Sequence, residues 1–584
     1  MTSDRHRGPE LWVLALLLAA LIAAVWTWAV DLPHLDEWVL AADLAAEDPG
    51  SLLRRAWTPH NEHRLTVPRL LLVGLARLTR WNVRAEVFLG VACAVAVAAI
   101  LWRLGRRIEG RAHRAIFRSL AAAFVLGLHQ VENLVWGWQL SLFLCVASAV
   151  AALALLAEGE AVTWGRAAIA AVLGVVSSFS YAAGLMVWPA GAVVLALRSP
   201  RAPARPASGL PQRVGPWLAI GATVVIVYLA GTAPRLDAEA AGPGERVLHG
   251  LAFLASPVVR AWTEPAVGVI VGAGALVLAA LGLAHAAARR APPEPVWLGL
   301  IVFAIGSAAM TALGRAEYGL EQAMTSRYTT VANLLWIGVL GILLSSASHA
   351  SSARRSGVTF ALALGLGAAL LAGSVASIDD FVGQHRTRTV ARAFLERGVI
   401  LEELAPQVAG ELGHLEAALP IACAQRLALF RRYADRHLEC RFELWPEAVE
   451  GQRSLPEQRF EWQPPDSRSA GWLRSEAGFT IPVSGDAVDG GWTLTGDTAQ
   501  RRCLRGAATD AATALPVIEV IVAEGTSARR LRFRRQARRG GPFAEDVAFV
   551  GIAGCWRPEP GAGDAPVVVL ATTSRGTTGI LSAR

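Results

Sequence analysis

Stretches of about 18 or more apolar residues recur along the first two-thirds of this chain, and they constrain its fold more than any other feature. Wound as a helix rising about 1.5 Å per residue, such a stretch matches the ~30 Å hydrocarbon core of a bilayer. A helix also satisfies every backbone N–H and C=O within the segment, which a bilayer demands. Apolar segments fall near 11–30, 85–102, 115–128, 139–157, 167–178, 182–197, 216–232, 266–288, 295–313, 329–346 and 357–376, eleven in all. Of the 584 residues 54% are hydrophobic and only 17% charged, with a mean hydropathy of +0.41, which excludes an ordinary soluble protein of this size. The expected fold is a mostly α, polytopic membrane bundle of about 11 spans. Residues 11–30 read as a retained first span, because no small-residue cleavage site follows them.

The loops orient these spans. Residues 103–114 hold five Arg and one Glu, and 198–213 hold four Arg and no acid. Arg289-Arg290 and Arg354-Arg355 fall on the same side by alternation, as does the N-terminus with Arg5 and Arg7. An excess of basic residues marks the cytoplasmic side. Residues 31–66, the 129–138 turn, 178–182, 233–264, 314–328 and everything after 377 then face outward. The loop at 158–166, with two Glu and one Arg, fits least well. Every basic residue is Arg, for the sequence contains no Lys, so the choice of Arg over Lys carries little information about a site. The net charge of +8 belongs largely to orienting loops and is not a nucleic-acid signature. Fifteen of the 20 Trp precede residue 340, many near span ends, where indoles favour the interface.

Residues 167–197 are interrupted by Ser177-Ser178-Phe179-Ser180-Tyr181 and by Gly184, so neither half crosses a bilayer alone. This is either a tilted helical hairpin or a break lining a cavity. Beyond 377 the composition changes. Residues 377–440 read as a helical linker, with Phe394, Leu395, Ile400, Leu401, Leu404 and Val408 between charges. From 441 to 584 short β-branched runs (479–483, 517–522, 567–570) alternate with Gly, Pro and Asp turns, the pattern of a β-sandwich. The expected organisation is thus a transmembrane domain over 1–376 with an outward first loop at 31–66, then an outward α+β region ending in the sandwich. Cys423, Cys440, Cys503 and Cys555 all fall in that outward region, an even number that permits two disulfides in any of three pairings.

Ionisable residues near hydrocarbon are costly and mark functional sites. The first loop supplies His34, Asp36, Glu37, His60, Glu62, His63 and Arg64; the 129–139 turn supplies Glu132, Asn133, Trp136 and Gln139; the 314–328 loop supplies Arg315, Glu317, Tyr318, Glu321, Arg327 and Tyr328. Helical spacing would put His60, His63 and Arg64 on one face, beside a short amphipathic helix bearing Leu65, Val67 and Leu70 to Leu72. The bland alternative is the solvated start of that helix. His60, His63 and a carboxylate offer metal-ligand chemistry, but an HxxH alone is too weak to assign a metal. Asp36, desolvated beside Glu37, is harder to ionise than a free carboxylate and suits a general base; an N-cap is the alternative. Arg315, Arg327 and Tyr328 suit an anionic phosphate or, alternatively, anchoring at the headgroup layer. The Arg529–Arg535 run reads as the solvated face of a strand and its turn.

The strings PHLDEW, HNEHRLTVPRLL, ENLVWGWQ, FSYAAGLMVWP and GRAEYGLEQAMTSRYTT resemble a set of bacterial membrane proteins over residues 10–345. An acidic pair after the first span, many later spans and an outward C-terminal domain resemble the GT-C superfamily of integral-membrane glycosyltransferases. The resemblance implies a donor carrying its sugar on polyprenyl phosphate, a cell-envelope glycan or lipid acceptor, no cofactor, and residence among the lipids of the bacterial inner membrane with a periplasmic or extracellular C-terminal domain. It implies that Asp36, with Glu37 as substitute, takes the proton of an attacking acceptor hydroxyl. It implies further that Arg327, with Arg315 or Tyr328, binds the departing phosphate, and that His60, Glu62, His63 and Arg64 line the pocket. The acidic pair here is Asp-Glu rather than two Asp, and no Lys is present to bind phosphate. A lipid-linked-substrate transporter is a second class; the absence of an internal repeat counts against it. A non-catalytic scaffold with an outward glycan- or protein-binding domain is a third, and it would tolerate loss of Asp36.

Overall fold

The computed structural model describes residues 8–583 except 47, 160–161, 199–209, 232–240, 261–262, 289–293, 349–352, 397–398, 402–403, 434–439, 441, 446–457, 466–470, 476–479, 485–486, 499–500, 511–516, 518, 525, 532, 539–547, 558–565 and 573–577. The chain divides into two compact units, one of residues 1–29, 46–79 and 83–382, the other of 30–45, 80–82 and 383–584. The first-loop segment that carries Asp36 and Glu37 therefore groups with the C-terminal part of the chain.

The first unit is a helical bundle. Among the described residues, seven helices are long and apolar enough to cross a membrane: Pro9–Trp28, Val83–Arg107, Gly137–Ala157, Pro265–Ala288, Pro295–Tyr318, Leu320–Ala347 and Gly357–Thr389. Three shorter apolar helices, Trp164–Ser178, Ala182–Leu197 and Val214–Leu229, take up three more of the eleven segments. The eleventh, near 115–128, is the amphipathic helix Arg111–Leu126, whose buried face presents Phe117, Leu120 and Phe124. The eleven apolar segments are thus all helical, and seven of them have spanning length. Leu320–Ala347 is the most enclosed, with 83% of its apolar window buried, and it packs on Pro295–Arg315. Gly341 permits that approach, since a Cβ there would stand 2.4 Å from the Trp297 ring. The interruption at 177–181 is real: the Trp164–Ser178 helix stops, and a 3₁₀ turn at Ala182–Met186 leads into Val187–Leu197. A Cβ at Gly184 would lie 2.0 Å from the Ser177 carbonyl oxygen, so the doubled-back backbone requires glycine.

The last helix exceeds expectation, running unbroken from Ala353 to Leu395 over 43 residues. The region beyond it is only partly helical. Ala405–Ala409, Leu412–Ala424 and a 3₁₀ segment at Ala428–Tyr433 are helical, but Val399–Leu401 (β1) is a strand, parallel to Glu443–Trp445 (β2). A three-residue apolar stretch fits either state, and pairing with a distant strand decides it.

The C-terminal part is β-rich. Its strands are β3 (Arg459–Gln463), β4 (Trp472–Ser475), β5 (Thr480–Pro482), β6 (Val488–Thr498), β7 (Arg501–Asp510), β8 (Glu519–Glu524), β9 (Ser527–Arg530), β10 (Phe533–Arg538), β11 (Ala548–Trp556), β12 (Val567–Thr572) and β13 (Thr578–Ala583). They form one hydrogen-bonded order, β10-β11-β7-β6-β13-β12-β8-β9-β3-β4-β5, antiparallel except for β13 on β6. The middle strands β8 and β12 are covered on both faces. Val520, Val522, Val569 and Ala571 enter one core with Trp492, Leu504 and Trp556. Ile521, Ala523 and Leu570 enter another with Phe460, Trp462 and Leu473. Such strands read as continuous apolar runs, as 517–522 and 567–570 do. Cys423 and Cys440 form a disulfide 17 residues apart. Cys503 is also disulfide-bonded, and the residue directly across the ladder from it is Cys555.

Candidate functional site

The pentapeptide His60–Arg64 is a turn, not a helical start. The His60 N–H donates to the His63 carbonyl at 2.8 Å and the His63 N–H returns a bond to His60 at 2.9 Å. Asn61 takes a φ of 51°, a left-handed conformation that asparagine tolerates better than most residues. The helix begins only at Thr66 and runs to Thr79, with Pro68 in its first turn, where no donor is needed. His60, His63 and Arg64 consequently share no helical face.

Arg64 is buried, with 2% of its surface exposed, and it caps two helices at once. Its Nε donates to the Tyr228 carbonyl at 2.5 Å, its Nη1 to the Trp57 carbonyl at 2.7 Å and its Nη2 to the Ala230 carbonyl. Trp57 ends the Pro49–Trp57 helix, and Tyr228 and Ala230 lie at the end of Leu210–Leu229. Terminal carbonyls lack partners within their helix and carry the negative end of its dipole, so a cation suits them. The guanidinium also lies 4.7 Å from the Trp57 ring centroid. Arg64, expected in a pocket lining, thus gives donors to backbone carbonyls.

Glu62 pairs with an arginine from a distant loop. Its Oε1 accepts from the Arg315 Nε at 2.6 Å and from Nη2 of the same guanidinium, across 253 residues of sequence. His63 Nε2 lies 3.5 Å from that oxygen, and the His63 ring lies tilted against Tyr181 with centroids 4.0 Å apart. Burial alone would raise the Glu62 carboxyl, but His63 and Arg315 beside it hold it below the ordinary glutamate value of 4.5. The Tyr228 hydroxyl accepts the Arg64 N–H at 3.0 Å and donates to the Glu62 carbonyl at 3.4 Å. Tyr181, just after the helix break, feels the charges of Arg315, Glu62 and Arg327 and lies near Tyr328. Tyr328 itself is buried against Phe253 at 5.0 Å. Three of the five tyrosines in the chain gather here.

A second polar knot adjoins Arg327. Glu132 Oε2 accepts from the Ser326 hydroxyl at 2.8 Å and the Arg327 N–H at 3.0 Å, capping the turn that opens the Thr329–Ser348 helix. Its Oε1 lies 3.9 Å from the Arg327 Nε. Asn133 donates to the Arg327 carbonyl at 3.0 Å and to the Thr330 hydroxyl at 2.7 Å, and that hydroxyl donates to Gln130 at 2.6 Å. Gln139 is buried at the end of the 3₁₀ turn Gly137–Gln139, next to Trp138, whose ring is 5.3 Å from that of His60. His249, fully buried, approaches Gln322 and feels Arg315; burial lowers its basicity. The sequence reading passed over Tyr181, Tyr228 and His249 as site residues. The scarcity of tyrosine was the available signal for the first two.

Asp36 and Glu37 sit in the other unit, on the 3₁₀ turn Leu35–Val39. Glu37 is fully buried and its Oε2 accepts the His34 N–H at 3.0 Å. Asp36 is half-buried beside Leu35, whose φ of 48° is an uncommon one for a branched side chain. Trp38 anchors the turn by donating to the Val408 carbonyl at 3.3 Å. Burial, with the charge of Arg388, holds His34 well below the ordinary histidine range. Among the described residues, no cluster of three or more His, Cys, Asp or Glu is arranged to hold a metal ion. Compared with family models, curated proteins and solved structures, the chain matches none.

Proposed function

We propose that this protein is a membrane glycosyltransferase that moves a sugar from a polyprenyl-phosphate donor to a cell-envelope glycan or lipid acceptor at the outer face of the bacterial inner membrane. The observation that supports it best is the cluster of Glu62, Arg315, His63, Tyr181 and Tyr328, drawn from three separate inter-helix segments of an apolar bundle. In this reading a carboxylate of the protein removes the proton of an acceptor hydroxyl as that oxygen bonds to the anomeric carbon. The bond from that carbon to the phosphate oxygen breaks, and its electron pair leaves on the polyprenyl phosphate. Arg315, Arg327 and the tyrosine hydroxyls supply donors to the departing phosphate. Glu62 holds Arg315 in place until the phosphate competes for it. The positive-inside pattern of the loops gives the orientation, with a cytoplasmic N-terminus.

A scaffold is the second reading, and one observation favours it. Arg64, Arg315 and Arg327 each already contact a carbonyl or carboxylate of the protein. Transfer from radiolabelled polyprenyl-phosphate sugars into membrane glycans separates the two. Wild type should incorporate label, Asp36→Asn should incorporate none at equal expression, and Arg315→Gln should be slowed at least tenfold. Equal incorporation by all three removes the enzymatic assignment of these residues, and no incorporation by wild type across a broad donor panel favours the scaffold.

A further inference from the structure

One rim of the helical bundle carries arginines that its carboxylates do not neutralise. The span Val83–Arg107 ends in the 3₁₀ turn Gly105–Arg107, and the amphipathic helix Arg111–Leu126 follows. Arg111, Arg114 and Arg118 stand at i, i+3 and i+7 of that helix and share one face over about 10 Å. The acids that reach this rim are committed: Glu158 to Arg103, Glu294 to Arg107 at 2.9 Å and Glu10 to Arg118 at 3.6 Å. Arg114 donates its Nε–H to the Ile108 carbonyl at 3.2 Å. Arg106 and Arg111 are exposed, and among the described residues neither is paired with a carboxylate. The Arg118 guanidinium feels the positive charges of both Arg106 and Arg114, so the set converges. Orientation of the loops accounts for the sign of this charge but not for its convergence.

Apolar surface adjoins the arginines. The helix Pro9–Trp28 brings Glu10 to Arg118, and around that carboxylate its first two turns expose Leu11, Trp12, Val13 and Leu16. Arg118 is fixed at the end of the neighbouring span: its Nε donates to the Trp102 carbonyl at 3.3 Å, and its guanidinium lies 4.7 Å from the Trp102 ring centroid. We propose that Arg106, Arg111, Arg114 and Arg118 bind the phosphate of an anionic phospholipid whose acyl chains run along the first turns of Pro9–Trp28. Guanidinium forks take phosphate oxygens in paired bonds, and basic clusters beside a span suit anionic headgroups. A soluble phosphate would meet the guanidiniums and leave the apolar turns unused. A zwitterionic lipid brings its own cation and gains less from an arginine set already in excess. The inference rests on the membrane setting of the bundle and stands apart from the transfer reaction.

The test titrates full-length protein in detergent with phosphatidylglycerol, with phosphatidylcholine of the same chains and with water-soluble glycerol phosphate, counting bound molecules by native mass spectrometry. Phosphatidylglycerol should bind at least tenfold more tightly than phosphatidylcholine, and glycerol phosphate should compete with it only weakly. The double variant Arg106→Gln/Arg111→Gln should lose most of that preference. Arg354→Gln/Arg355→Gln, at another basic end of the bundle, should keep it. Should the first double variant melt early, Arg111→Gln alone carries the same comparison. The proposal falls if the two lipids bind equally or if Arg106→Gln/Arg111→Gln keeps the wild-type preference. It falls too if the Arg354 and Arg355 substitutions weaken binding as much, because the attraction then belongs to net charge and not to this rim. Displacement of phosphatidylglycerol by glycerol phosphate at equal concentration also overturns it, since the ligand is then a free phosphate and the apolar turns contribute nothing.

Discussion

The helical bundle and the open face of the β-rich sheet treat arginine in opposite ways. In the bundle, Arg64 donates to three carbonyls, two of them more than 160 residues away, and Arg315 to a carboxylate 253 residues away. On the sheet, Arg459 and Arg529 oppose each other across a ladder. The contrast follows from solvent. A charge withdrawn from water pays a desolvation cost that only close partners offset, whereas water and salt screen two arginines on an open strand. Charge arrangement in the bundle is therefore a condition of folding, and on the exposed sheet face it is constrained less by desolvation.

The sharpest way to break this contrast lies within one strand. Arg530 neighbours Arg529 but faces inward, fully buried, with its Nε 2.7 Å from the equally buried Glu519. Arg530→Met strands Glu519 in the core and should cost about 3–5 kcal/mol, while Arg529→Gln should stay within about 0.5 kcal/mol. Apparent melting temperatures of the two variants compare them directly. Similar losses would mean that burial does not separate the two arginines. Next in size is Arg64→Ala, which leaves three helix-end carbonyls without their donor and should cost about 2–3 kcal/mol. Arg64→Lys should recover little, because one ammonium cannot reproduce a planar fork aimed at three oxygens.

How much of this was legible in the sequence depends on the range of the interaction involved. The apolar segments and the interruption at Ser177–Tyr181 are local properties, and the helices follow them. The described parts of the runs at 479–483, 517–522 and 567–570 likewise hold β5, the start of β8 and most of β12. The pentapeptide was misread because i and i+3 approach each other in a turn as well as in a helix. Asn61 was the clue to the turn. Arg64 and Arg315 owe their roles to partners 164 and 253 residues away, which no local pattern reveals. The inward turn of Arg530 follows from strand alternation, which a run of arginines hides.

The Glu62–Arg315 pair lies between the extremes, since it belongs to the bundle yet 36% of the Glu62 side chain is exposed. Glu62→Gln should cost at most about 1 kcal/mol near neutral pH, because solvent screens the pair. Its pH dependence has a definite sign. The folded carboxyl titrates below 4.5, so the pair contributes above that value and its contribution is lost as pH falls through the folded pKa. The difference in melting temperature between wild type and Glu62→Gln should therefore shrink on acidification. A difference that grows would show that Glu62 is harder, not easier, to ionise in the fold.

The smallest effect bears most directly on the contrast. Arg459→Glu changes the charge at an exposed position of β3, across the ladder from Arg529, and should alter stability by no more than about 0.5 kcal/mol. If Arg459→Glu lowers the melting temperature by as much as Arg64→Ala does, the exposed arginine is held as firmly as those of the bundle, and the sheet face is structural.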